Sequence, residues 1–324
     1  MPLREATAAD MEAILELRAR CFGEVDAEKR DPRFWHWEFD RARCFVGEED
    51  DGRIVTHIAL VPVTYAVNGT NVEGAMAVDA MTSPDARGRG WFSRVIAHAT
   101  ESAPALSTAY QIRKPVLGAM LRSGWVAVER VPVLVRPSGV KALARLVAPS
   151  VSEGPGRVGG AKESVDRAAP PPRPLAHARG DTIRVLTHDE VEWMARIASS
   201  DGLSIARTPE FLQWRFFDNP HWKYRITATD DAYLVARRTA LKGFDTYAIV
   251  DVAGRAHALI NDAIDEAKRL GCTLVAALAS RGHAAFMQLL RHGFVPGPHR
   301  FRLLVHPRSP DGRWRVMWAD TDHL

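Results

Sequence analysis

Cysteine is nearly absent: Cys21, Cys44 and Cys272 are the only three in 324 residues. None stands in a C-x-x-C pair or beside a histidine cluster, which argues against a disulfide framework or a zinc site and fits a reducing compartment. No apolar run approaches the roughly 18 residues that a membrane-spanning helix needs, and the N-terminal segment carries acids without a cleavage signature. The expectation is a cytoplasmic protein with no membrane partner. Strong charge imbalance is missing too, because the net charge of +4 is spread along the chain. Nucleic-acid binding would call for a basic stripe, so no nucleic-acid partner is expected. Neither a Walker A sequence nor the six-residue dinucleotide fingerprint occurs, and no metal site is expected.

What is present fits a globular protein of two domains: the length exceeds one typical unit of roughly 100–200 residues. A compositional break separates them. Between Ala148 and Gly180, six prolines and five glycines stand without a single aromatic residue, and such a stretch cannot bury enough apolar surface to order itself. We therefore read residues 1–147 and 181–324 as domains and 148–180 as a flexible linker. The flanking parts share patterns. P-x-F-x-x-W-x-F occurs at Pro32–Phe39 and at Pro209–Phe216, an offset of 177. Leu121-Arg122-Ser123-Gly124-Trp125 matches Leu290-Arg291-His292-Gly293-Phe294 at an offset of 169, so the order is kept with 177 − 169 = 8 residues lost. Two matches in one order point to an internal duplication.

In the first part, Thr7 and Asp31 read as N-caps of two helices. Strands follow at Cys44–Glu48 and Arg53–Val67, with turns at Asp51-Gly52 and Asn68-Gly69. Ala75–Met81 reads as a buried central strand interrupted by one charge, Asp79. It runs through Arg87-Gly88-Arg89-Gly90 into a helix whose Phe92, Val95, Ile96 and Ala99 share a face. Glycines let the backbone approach a ligand, and a helix start offers free N–H groups, a combination that suits a phosphate or a surface turn.

The segment Met81-Thr82-Ser83-Pro84-Asp85-Ala86-Arg87-Gly88-Arg89-Gly90-Trp91-Phe92 resembles the acetyl-CoA motif of the GNAT N-acetyltransferases, with its T-x-P-x-x-R-G-x-G pattern between strand and helix. The likeness extends through Ala105–Tyr110 as the next strand to Leu121-Arg122-Ser123-Gly124-Trp125. It implies an α+β fold of two tandem GNAT-like domains, each a central mixed sheet flanked by helices, the second copy degenerate. It also implies acetyl-CoA, or another acyl-CoA, as cofactor. Backbone around Ala80, Met81 and Thr82 would pair with the pantetheine arm, and Arg87, Gly88, Arg89, Gly90 and Trp91 would cradle the pyrophosphate. Phe92 stands where many members have Gly or Ala. In the second part Asp251-Val252-Ala253-Gly254 runs directly into a helix without the R-G-x-G pattern, which points to a half that lacks a CoA site.

The family often uses a tyrosine on the helix after the fifth strand as proton donor; here that place is Met120. Tyr110 is the nearest substitute, while Asp79, and Glu73 from further away, are candidates to accept the amine proton. An arginine pair is the competing reading of Asp79, and packing that of Tyr110. His57 reads as a core histidine, His98 as surface, and Arg313–Trp318 as a final strand. The implied activity is transfer of an acetyl or short acyl group to a primary amine of a small molecule, an amino sugar among the candidates, by a monomer or homodimer. A catalytically silent acyl-CoA-binding or interaction protein is the rival.

Overall fold

A computed structural model describes residues 2–23, 27–111, 114–139, 183–199 and 202–321; the expected linker Ala148–Gly180 lies outside them. After β1 (Leu3–Glu5), the Thr7 backbone N–H and hydroxyl both donate to Asp10, at 2.7 and 3.0 Å. This closes the start of α1 (Met11–Phe22), which buries Ile14, Leu17 and Arg18. Asp31 caps α2 (Pro32–Phe39) by accepting from the Arg33 N–H at 2.8 Å. Next come β2 (Arg43–Glu48), β3 (Ile54–Val67), β4 (Thr70–Thr82), α3 (Trp91–Glu101), β5 (Ser107–Gln111), α4 (Lys114–Arg122) and β6 (Val126–Pro137). The second part repeats the order with one short strand, β8, added between its helices: β7 (Arg184–Val185), α5 (Val191–Ala198), β8 (Ser204–Ile205), α6 (Pro209–Leu212), β9 (Arg225–Ala228), β10 (Ala232–Leu241) and β11 (Phe244–Gly254). It closes with α7 (His257–Arg269), β12 (Leu274–Leu278), α8 (Ala284–Arg291) and β13 (Val295–His306).

The two expected sheets join edge to edge into one mixed sheet of thirteen strands, in the order β1-β2-β3-β4-β5-β13-β6-β12-β11-β10-β9-β7, with β8 paired to β3. β4 with β5 and β11 with β12 are the parallel pairs. The join is an exchange of strands. β13 lies between β5 and β6, and β6 between β13 and β12, so each part's last strand completes the other's sheet.

One apolar cluster runs through both parts on the face covered by α1, α2, α5 and α6. The opposite face carries two separate clusters, one under α3 and α4 and one under α7 and α8. Across the join, Trp37 and Trp214 stack with ring centroids 5.2 Å apart, and each indole N–H donates to the other's carbonyl, at 2.7 and 2.8 Å. These are equivalent positions of the repeated P-x-F-x-x-W-x-F pattern, meeting each other.

Arg313–Trp318 is not a strand, contrary to expectation. It makes single bridges, Leu203 with Trp314 and Ala279 with Met317, then turns into a short 3-10 helix at Trp318–Asp320. Trp314 and Trp318 are both buried, so the aromatic spacing that suggests a strand face reflects packing of an irregular segment.

Candidate active site

β4 and β5 keep register only at Ala75↔Ser107, Met76↔Thr108 and Ala77↔Ala109. β4 then runs on to Thr82 and β5 to Gln111, so the strands part into a cleft whose β4 wall ends in the glycine loop. A bulge lies in that wall: Ala59 pairs Val78 and His57 pairs Met81, leaving an extra residue on β4. Asp79 occupies it with φ of 53°, a left-handed conformation that costs an ordinary residue energy and therefore needs support from its surroundings.

Arg18 supplies that support. Its guanidinium pairs with the Asp79 carboxylate, both side chains buried, while His57 Nδ1 lies 3.3 Å from the same carboxylate and 3.2 Å from the Asp79 carbonyl. Burial would raise the carboxyl, but the charge of Arg18 and the contact with His57 hold it well below the usual carboxylate range. Sequence reasoning missed Arg18. Its signal is a charged residue four positions after Ile14, on the buried stripe of α1. His57 is a core histidine, as expected, whereas His98 is half-buried with its ring edge-on to Phe45.

At the loop, Gly88 and Gly90 hold φ of 78° and 80°, and a Cβ at either would meet nothing within 4 Å. The glycines thus serve the turn and leave the space above it open. Gly90 caps α3, whose first-turn N–H groups have no carbonyl partners within the helix. Arg89 pairs with Glu49, and Arg87 Nε donates to the Thr82 carbonyl at 3.3 Å. Trp91 is buried against Val55 and Ala86, so its indole is out of reach of a ligand and its backbone N–H is what it offers. Gly47, which sequence reasoning also missed, makes room for that indole: a Cβ there would lie 2.8 Å from the ring. Phe92, in the first turn of α3, is half-buried against the apolar cluster under that helix. The open turn, the free amides and the parted strands fit the pyrophosphate and arm of a CoA thioester.

Ala80 is half-buried, while Met81 and Thr82 turn buried side chains inward, the Thr82 hydroxyl 2.9 Å from that of Thr56. Tyr110 stands on β5 just beyond the last paired residue, opposite Leu303 of β13. It is buried in the cluster beside α1 and α2, and burial, with the Asp320 carboxylate adding, raises its phenol well above the ordinary value. Met120 lies in the cluster on the opposite face. Glu73 is not brought to the others: it is exposed, bonds to Thr64 at 3.0 Å and lies on the far side of the paired residues Ala75–Ala77. Six residues of strand separate it from Asp79, about 20 Å at roughly 3.3 Å per residue, and the bulge breaks the alternation that would align them. Among the described residues there is no cluster of metal-ligating side chains, and no helix is long and apolar enough to cross a membrane.

Residues 2–125 match the family model of the acetyltransferase (GNAT) domain. No curated protein matches the chain. Among solved structures, a probable N-acyltransferase from Enterococcus faecalis V583 is 12% identical with a TM-score of 0.60, over 94% of this chain and 72% of that one. A GCN5-related N-acetyltransferase from Kribbella flavida is 16% identical with a TM-score of 0.59, over 94% and 71%. Saccharomyces cerevisiae N-myristoyltransferase with bound myristoyl-CoA is 14% identical with a TM-score of 0.60, over 100% of this chain and 91% of that one. At these identities the likeness is one of fold.

Proposed function

We propose that the chain, whose residues 2–125 match the acetyltransferase (GNAT) domain model, is an acyl-CoA-dependent N-acyltransferase that transfers an acetyl or other short acyl group to the primary amine of a small molecule, with amino sugars among the acceptors. The observation that carries this reading is the cleft where β4 and β5 part, bounded by the open Gly88–Gly90 turn. Acyl-CoA supplies the acyl group as a thioester. The α3 amides and the loop backbone hold its phosphates, with Arg87 and Arg89 adding charge. The Asp79 bulge, fixed by Arg18, sets the course of Ala80 and Met81 along the pantetheine arm. Tyr110 keeps its proton at neutral pH and is the proposed donor to the departing thiolate. Asp79, ionised and paired, is a weak base, so its part in proton removal is the smaller one and its main role is positioning. Glu73 would reach the amine only if the acceptor extended along β4.

We also propose that the chain is a duplicated unit, residues 1–147 and 181–324 with 148–180 linking them, in which only the first copy holds acyl-CoA. It acts in the cytoplasm, as monomer or homodimer. A free-thiol release assay with acetyl-CoA over a panel of amines tests the activity. Saturable, amine-dependent release is expected. Acetyl-CoA binding without release on any amine would make the protein a silent binder.

A further inference from the structure

At the foot of the cleft, where β4 and β5 still pair, two buried hydroxyls face each other. The Tyr65 hydroxyl of β3 donates to the Ala75 carbonyl of β4 at 2.8 Å and lies 2.8 Å from the Thr108 hydroxyl of β5. A β3 side chain therefore reaches past β4 to the strand beyond it. Gly74 makes that crossing possible: a Cβ there would lie 2.5 Å from the Tyr65 ring and 2.1 Å from the Leu106 carbonyl. The second part seats the ring from outside, through Ile205 of β8 paired to Tyr65 and the Trp314 indole set edge-on at 5.9 Å. Tyr65 and Thr108 are both wholly buried.

Thr108 and Tyr110 alternate to the same face of β5, and a hydrogen bond between their side chains favours the ionised phenol, against the burial that opposes it. Each hydroxyl has one proton to give. The Ala75 carbonyl can only accept, so the Tyr65 proton is committed to it and Thr108 is the donor in the Thr108–Tyr65 bond. When Tyr110 hands its proton to the departing sulfur, it becomes a phenolate that needs a donor. Rotation about one side-chain bond lets Thr108 turn its proton from the neutral Tyr65 oxygen to that charged one, and a bond to a charged acceptor is the stronger.

We infer that Thr108 is a positioning residue for the transfer, a hydroxyl rotor that Tyr65 holds while Tyr110 keeps its proton and that stabilises the Tyr110 phenolate once the proton has gone. The inference rests on Tyr110 being the proton donor. In the step itself the amine nitrogen bonds to the thioester carbonyl carbon, the carbon–sulfur bond breaks with its electron pair going to sulfur, and the Tyr110 proton passes to sulfur. The proton that the nitrogen sheds restores the phenol, so no other reactant is consumed.

The full chain with a polyfluorinated tyrosine in place of Tyr110, acidic enough to ionise before alkaline unfolding, reports the phenolate by fluorine NMR without any substrate. Its titration midpoint should rise by about one pH unit or more in Thr108→Val, the loss of one hydrogen bond to a charged group. Thr108→Ser, which keeps the hydroxyl, should leave it in place. Tyr65→Phe should move it down, because Thr108 is then left with Tyr110 alone. Asp320 and Arg207, the charged side chains that face the phenol, are unchanged in all three, and lost packing does not give opposite signs for two hydroxyl deletions. In thiol release from acetyl-CoA with glucosamine as the amine, Thr108→Val should lower kcat about tenfold with KM for acetyl-CoA kept. Thr108→Ser should restore kcat, and Thr108→Val should add nothing to Tyr110→Phe. If glucosamine is not acetylated, the titration alone decides. A midpoint indifferent to Thr108→Val and Tyr65→Phe, or moved the same way by both, would overturn the inference. So would a kcat drop in Tyr110→Phe that Thr108→Val does not share, which leaves the donor reading intact; full turnover in Tyr110→Phe would overturn that reading and this inference with it.

Discussion

Arg18 and Asp79 form a buried pair whose members need each other. Removing one partner of such a pair leaves an uncompensated charge and typically costs about 3–5 kcal/mol, so Arg18→Met should lower the urea midpoint sharply while Arg20→Met, on a half-exposed residue, should not. Asp79 also predicts a pH dependence. Its folded pKa lies below the unfolded value of about 3.9, so its contribution to stability is complete above that pH and drains away as acid protonates it. The stability gap between wild type and Asp79→Asn should therefore narrow by about 1 kcal/mol between pH 5 and pH 3, and a constant gap would contradict the pairing. Tyr110→Phe should lower kcat by about 10²–10⁴ with little change in KM for acetyl-CoA, whereas loss of a merely packed hydroxyl would change stability more than turnover. Asp79 was legible as the one charge in an apolar strand, but its partner was not, because a helix residue 61 positions away is matched to it only by packing. Glu73 misled for a related reason: period-two counting assumes an unbroken strand, and the bulge breaks it.

The strand, glycine loop and helix were readable from local pattern alone, since burial, turn conformation and helix period all leave marks in neighbouring residues. The bulge and the parting of β4 from β5 were not, because they are relations between strands. The irregular Arg313–Trp318 segment shows the converse, where alternating large and charged residues imitate a strand yet bridge only at single positions. Glycines test the loop at this scale. Gly88→Ala and Gly90→Ala meet no neighbour, so each should cost only the left-handed conformation, about 1–2 kcal/mol, and should raise KM for acetyl-CoA. Gly47→Ala drives a methyl into Trp91 and Thr56 at 2.7–2.8 Å. It should lower the melting temperature more than either, as overpacked cores do. Equal effects from all three would contradict these separate roles.

For the whole molecule, the offset of 177 between the repeated aromatic patterns foretold that Trp37 and Trp214 occupy equivalent places, but not that they stack on each other or that β6 and β13 change sides. Register between strands so far apart in sequence, as Pro137 of β6 is from Leu274 of β12, is not written in any local pattern. Exchange makes the two parts interdependent: without the second part, β6 loses both partners and β5 loses its β13 edge. Residues 1–147 expressed alone should therefore aggregate or fail to bind acetyl-CoA, and co-expression with residues 181–324 should restore binding; a stable fragment with wild-type affinity would contradict the exchange. Trp214→Ala should destabilise the full chain by about 3–5 kcal/mol, the usual cost of emptying a large aromatic site, seen as a lower melting temperature in one cooperative transition. The central claim is that acyl-CoA occupies the cleft between β4 and β5 and nowhere else in the chain. Calorimetric titration of the full protein with acetyl-CoA measures it most directly. One site per chain, lost on replacing Gly90 with valine, is the expected result; two equivalent sites, or one site indifferent to that change, would contradict the account.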